Sequence, residues 1–574
     1  MKMVCVLCAL CTFAVKSPGL DREAFAFTRY DLEVRVEPEQ QRLGVRGKIV
    51  LRNDSDIPQR NVSLQISSTL NWRSIQFEGK PAEFFSQTYT SDIDHTGALT
   101  EAIVTLPRPV GAKQSQELEI GYEGVVPQDA TRLTRIGVPA DTARRSDWDQ
   151  IGRDFTALRG AGYVIWYPVA MEAASLSEGD SVFEAVGRWK QREAGAGMHL
   201  AFSYQGESST GPARFLCNGT GRERASSEIS GPDFAEAECS INSLATVIPV
   251  FAIGSYEEKE HPAARIFYLR GHTSAAANYA QALEETAPLV SKWFGDHRER
   301  PEPKGEVVDL PDPDASPFES GNLLLMPLAG NDTSLLLSAA RQVASQDFPS
   351  PRRWISSGLA GYAQAALIQE RKGRAAALVY LQSHRGPVME AKGRSPGREA
   401  AANSLINSQD EFFVETKAMN VWWMLRDMAG EQALTAALHN YKAKEDKDAY
   451  YMEKVIEAQA HRDLGWFFED WVYRDRGLPD FRIASVYSRE MVNGGFMVTV
   501  TVENLGAAAA EVPVVLRMAG GEKSEKLVVA GKSKASVRIL AASAPREALV
   551  NDGSVPESDT SNNAFKIETT NSGP

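Results

Sequence analysis

The chain has 574 residues, with 62 Lys+Arg against 75 Asp+Glu and a net charge of −13 at pH 7. That length exceeds what one hydrophobic core usually supports and predicts roughly two to four domains. Its 43% hydrophobic and 24% charged residues exclude a disordered, collagenous or coiled-coil chain, and the acidic balance argues against a nucleic-acid partner, because phosphate backbones select basic surfaces.

Residues 3–15 (MVCVLCALCTFAV) form an apolar run behind Lys2. The run is shorter than the ~20 residues that span a bilayer and fits the core of a signal peptide. A small-x-small site at Ala24-Phe25-Ala26 sets the expected signal peptide at 1–26. The chain is therefore expected to be exported, periplasmic or extracellular, with no membrane span in its mature part. Three of the five cysteines fall in that run. Cys217 and Cys239 remain, and either a disulfide or two buried thiols suits them.

From 27 to 256 apolar and polar residues alternate in short runs, such as 30–36 (YDLEVRV), 47–52 (GKIVLR), 117–122 (ELEIGY), 198–204 and 245–251. A period of two marks strands with one buried face, so this region reads as a large antiparallel β domain. From 257 to 478 apolar residues recur every three or four positions. Helices are expected at 274–294, 334–344, 355–370, 374–382, 416–428, 431–443 and 452–460. From 479 to 574 the period returns to two, at 497–502, 512–517, 526–529 and 536–540, predicting a small sandwich of immunoglobulin type and a tail. The fold class is multidomain α+β. The run 551–563 predicts the last hairpin; its Asp552, Glu557 and Asp559 are hard donors for Ca²⁺, although a solvated turn is the simpler reading.

Local chemistry is sparse. The eight histidines share no helix face, and HExxH, GxSxG, P-loop and GxGxxG patterns are absent. Ser356-Ser357-Gly358 precedes an apolar helix and reads as its cap.

Motif order says more. The segments 249–256 (PVFAIGSY), 266–268 (IFY) and 293–295 (WFG) stand where the zinc aminopeptidases of aminopeptidase N type have their last β-domain strand and their first catalytic strand and helix. Residues 316–320 (SPFES) stand at the GAMEN edge strand and 414–418 (VETKA) at the VYxKG helix. Asp463-Leu464 through Gly477-Leu478-Pro479 match the closing helix. The chain resembles this gluzincin family over about 27–570. The resemblance implies a thermolysin-like helical domain between the β domain and the sandwich, a zinc cofactor, and peptidase activity.

The zinc site departs from that pattern. In the HExxHQ position the chain reads 341–346 (RQVASQ), with Arg341 for the first histidine, Gln342 for the base and Ser345 for the second histidine. The WLNEGxAxY position reads 354–362 (WISSGLAGY), with Ser357 for the third ligand, and Glu415 replaces the VYxKG tyrosine. A guanidinium has no lone pair to give a cation, serine is a poor zinc ligand at neutral pH, and Gln342 cannot take a proton from water. No catalytic residue, no metal and no cofactor are therefore expected, and Arg341 is expected to stand in for the cation by pairing with Glu319 or Glu415. Glu319 keeps the family's glutamate, which the resemblance assigns to a peptide amino terminus. Eleven residues separate Ser345 from Ser357, a shortened stretch, and Phe348 within it is bulky enough to fill the cleft.

The resulting expectation is an exported pseudoenzyme that binds a peptide or protein, or acts as a scaffold. A metallopeptidase with an atypical zinc site and a purely structural envelope module are the alternatives.

Overall fold

The computed structural model describes residues 20–205, 213–224, 234–244, 247–297, 305–390, 404–492 and 494–567. Most of the expected signal peptide lies outside these residues. Its last part does not: Phe25 and Ala26 open the first strand, Phe25–Glu37, and are 2% and 0% exposed. Arg22 holds the buried Glu101 at 2.7 Å, and Asp54 N–H donates to the Ala24 carbonyl at 2.8 Å. A cut after Ala26 would strip these contacts from the core.

The N-terminal region is built on an eight-stranded sheet centred on Gly197–Gln205, Phe25–Glu37, Arg42–Asn53 and Ser115–Val125. The expected alternation holds in the first strand: Tyr30, Leu32, Val34 and Val36 are buried, and Glu33 on the other face pairs with Arg46 at 2.6 Å. One pairing differs from the antiparallel expectation, because Phe25–Glu37 runs parallel to Gly197–Gln205. A crossover must therefore join them, and it includes helix α1 (Val182–Arg192), which the strand reading passed over. The run 245–251 is also not a strand over its described part; a strand starts only at Phe251 (Phe251–Gly254).

Cys217 and Cys239 are joined by a disulfide, which settles the choice left open by the sequence. It ties the three-stranded sheet containing Arg214–Cys217 to Phe234–Ile241, the strand next to the edge of the large sheet. Replacing both cysteines with serine is expected to cost about 2 kcal/mol by freeing the intervening loop in the unfolded chain, measured as a lower denaturation midpoint under oxidising conditions.

The central region opens with a five-stranded sheet, ordered Tyr256–Glu260, Ala264–Leu269, Gly305–Asp309, Leu323–Met326 and Phe318–Ser320. Its three inner strands are parallel and the last is an antiparallel edge. Helices α2 (Thr273–Phe294), α3 (Asp332–Asp347), α4 (Arg353–Lys372), α5 (Arg374–Ser383), α6 (Glu411–Ala429), α7 (Glu431–Asn440) and α8 (Tyr451–Ala460) follow, close to the predicted spans. α4 and α6 cross closely: a Cβ on Gly358 would sit 2.6 Å from the Ala418 Cβ, and Trp354 stacks on Trp422 at 5.3 Å. Ser356 and Ser357 are the fourth and fifth residues of α4 rather than its cap, and Ser356 Oγ donates back to the Arg352 carbonyl.

The C-terminal region has a three-stranded and a four-stranded antiparallel sheet. Val500 and Val502 of one and Val514 and Leu516 of the other are fully buried in one core. The run 551–563 links the paired strands Pro545–Val550 and Ala564–Lys566. Its three acids do not converge: Asp552 pairs with Arg374, while Glu557 accepts from Asn551 at 2.6 Å and from Phe481 N–H at 3.1 Å. Among the described residues no group of three His, Cys, Asp or Glu is placed to hold a metal, and no helix is long and apolar enough to cross a membrane.

Candidate functional site

Three elements bring the candidate residues together. α3 starts at Asn331, whose side chain accepts from Ser334 N–H at 3.0 Å, and α6 starts at Asp410, whose side chain accepts from Phe413 N–H at 2.9 Å. Such caps satisfy amides that the first turn leaves unpaired. The third element is the edge strand Phe318–Ser320, pinned through Ser320: its Oγ donates to the Ile248 carbonyl and accepts from Ile248 N–H.

Arg341 projects from α3 between the other two elements. Its Nε donates to Glu319 Oε2 at 3.0 Å, Nη2 donates to Glu415 Oε2 at 2.9 Å, and Nη1 donates to Glu415 Oε1. The Glu415 contact is bidentate, the geometry a planar guanidinium favours. The Arg341 side chain is 24% exposed, Glu319 22% and Glu415 32%. Burial works to lower the Arg341 pKa, but Glu415 and then Glu319 outweigh it, and the net shift is upward. The guanidinium is thus fixed as a cation.

Gln342, in the position of the base, is 3% exposed and accepts from the Tyr279 hydroxyl at 2.8 Å. An amide held by a phenol on the inner face of α3 cannot activate water. Ser345, one turn beyond Arg341, lines a cavity of about 1370 Å³ together with Leu283, Ser291, Gln346 and Tyr441. Among the described residues Ser345 and Ser357 form no side-chain hydrogen bond, so neither is tied to Arg341. Phe348 does not fill the space beside Arg341; it is fully buried, stacked on Tyr441 at 4.8 Å and against His297 at 4.7 Å.

Two neighbours were missed by the sequence reading. Tyr380 of α5 donates to Gln364 Oε1 at 3.0 Å. Burial pushes its hydroxyl up to about 12, with Arg341 opposing and Glu415 adding. One turn before Glu415, Glu411 accepts from Lys190 of α1 at 2.7 Å and pairs with Arg353 of α4 at 2.8 Å. That network joins the N-terminal region to the platform carrying Glu415. The spacing of Val182, Ala185, Val186 and Trp189 is the helical signal that would have exposed it.

The zinc ion implied by the resemblance does not fit these residues. A structural or catalytic zinc takes three or four N, S or O donors with available lone pairs. Here both carboxylates are engaged by a guanidinium in the position of the first ligand, and the other two positions hold hydroxyls.

No family model and no curated protein matches the chain. Among solved structures the chain is similar to an M1 zinc metallopeptidase from Deinococcus radiodurans, at 16% identity and a TM-score of 0.45, covering 76% of this chain and 91% of that one. It is also similar to an alanine mutant of that protein, at 16% identity and a TM-score of 0.44, with the same coverage of both chains. The same mutant bound to a Tyr-Ser-Ala substrate is similar at 14% identity and a TM-score of 0.44, again with 76% and 91% covered.

Proposed function

We propose that the chain is a non-catalytic relative of the zinc aminopeptidases that holds a peptide or protein end instead of cutting it. The observation that carries this reading is the Arg341 guanidinium bridging Glu319 and Glu415. A fixed positive charge repels a divalent cation, and both carboxylates of the cluster are engaged by that charge. The motif order along the chain supports the relationship, and the two acids against one arginine leave the cluster with a surplus negative charge suited to an amino terminus. The C-terminal region is read as an immunoglobulin-like sandwich.

We place the protein outside the cytoplasm. The apolar run 3–15 and the Cys217–Cys239 disulfide favour an oxidising compartment. A leader that ends before Arg22 would keep the contacts of Arg22 and Phe25 in the mature chain.

The test is equilibrium binding of short peptides with free and with acetylated amino termini, followed by chromatography for products. Saturable binding of the free-amine peptides without cleavage is expected, weakened about tenfold by acetylation and by Glu319→Gln. Equal binding of both peptide classes, or none, would refute amino-terminal recognition.

A further inference from the structure

Four arginines are buried among the described residues, and three of them hold a carboxylate: Arg132 pairs with Asp147 at 2.6 Å, Arg159 with Asp149 at 2.7 Å and Arg426 with Asp427 at 2.8 Å. Arg385 is the exception. It is 9% exposed and follows α5 where the helical region meets the C-terminal sheets. Its Nε donates to Asn420 Oδ1 at 3.0 Å and its Nη2 donates to the Gly553 carbonyl at 2.7 Å. Both acceptors are neutral, and Nη1 has no hydrogen-bond partner among the described residues.

The acids nearby are engaged elsewhere. Asp552 faces Arg374 at 3.1 Å, and Glu557 is held by Asn551 and by Phe481 N–H. Burial pulls the Arg385 pKa down to about 10, with Glu557 and Asp552 opposing only in part. The carbonyl end of α5 offers some compensation, but a buried guanidinium with no carboxylate paired to it among the described residues is costly and calls for a partner.

We infer that Arg385 is the base of a small oxyanion site at this junction, taking a carboxylate or phosphate through its remaining Nη hydrogens. A planar fork of donors matches the paired oxygens of such an anion. Among the described residues no hydrogen bond or ion pair joins Arg385 to the Arg341 cluster, and the site does not depend on the function proposed for that cluster.

Thermal unfolding of the full chain, in chloride and in inorganic phosphate at matched pH and ionic strength, tests the assignment. At phosphate about tenfold above its dissociation constant, the wild type is expected to melt about 2 °C or more higher than in chloride. Arg385→Met should lose that response and melt no lower than the wild type in chloride, and Arg385→Lys should keep only part of it. The inference is overturned if phosphate shifts neither protein, shifts Arg385→Met equally, or is answered fully by Arg385→Lys.

Discussion

Replacing Arg341 with leucine is expected to destabilise the chain by about 3 kcal/mol, the range for removing one partner of a buried ion pair. The loss comes through Glu319 and Glu415, which would be left facing each other without a cation between the edge strand, α3 and α6. The partial exposure of all three side chains keeps the effect at the low end of that range. Double-mutant cycles against Glu319→Gln and Glu415→Gln should show coupling, larger for Glu415 because its contact is bidentate. Neutralising both glutamates in the leucine background should recover most of the loss, since no charge then lacks a partner. Unchanged melting, with no coupling to either glutamate, would remove Arg341 from its assigned role.

Glu193→Gln should stabilise the chain in mildly alkaline solution. Glu193 is fully buried next to the first strand; Arg192 Nε donates to its Oε1 at 3.2 Å, and its Oε2 has no partner among the described residues. Burial pushes its pKa from 4.5 up to about 8, with Arg192 pulling the other way. Because the folded pKa lies above the unfolded one, the unfolded chain releases the proton first. This residue's contribution to stability is therefore complete below pH 4.5 and falls as the pH rises to about 8. The gap corresponds to on the order of 5 kcal/mol. Denaturant midpoints of wild type and variant should coincide near pH 4 and diverge by about pH 8.5 in favour of the variant. Parallel pH profiles would refute the assignment.

Much of the architecture was legible because burial imposes periods. Tyr30 to Val36 alternate because only one sheet face meets the core, and α2 to α8 carry apolar stripes at helical spacing. Arg341 and Glu415 were legible as departures from a motif pattern, and Glu319 as the residue of its edge strand that is kept. Pairing of Arg341 with Glu319 or Glu415 was expected from one cation and two acids in positions the motif order places near each other; that it holds both at once was not. What escaped was what local pattern does not encode. The parallel pairing of Phe25–Glu37 with Gly197–Gln205 depends on a crossover that leaves no mark on either strand. Lys190 and Glu411 are joined across 221 positions, a separation that alternation and helical periodicity cannot bridge. Phe348 looked like a plug for the cleft because its neighbours in sequence are the cleft positions; tertiary packing instead gives it to Tyr441 and His297.

The central claim is that Arg341 occupies the place of a metal. Elemental analysis of the purified full chain, equilibrated with excess zinc and then desalted, tests it most directly. The account predicts zinc well below one ion per chain and no peptide hydrolysis before or after chelation. One ion per chain, removed by a chelator together with an aminopeptidase activity, would contradict it.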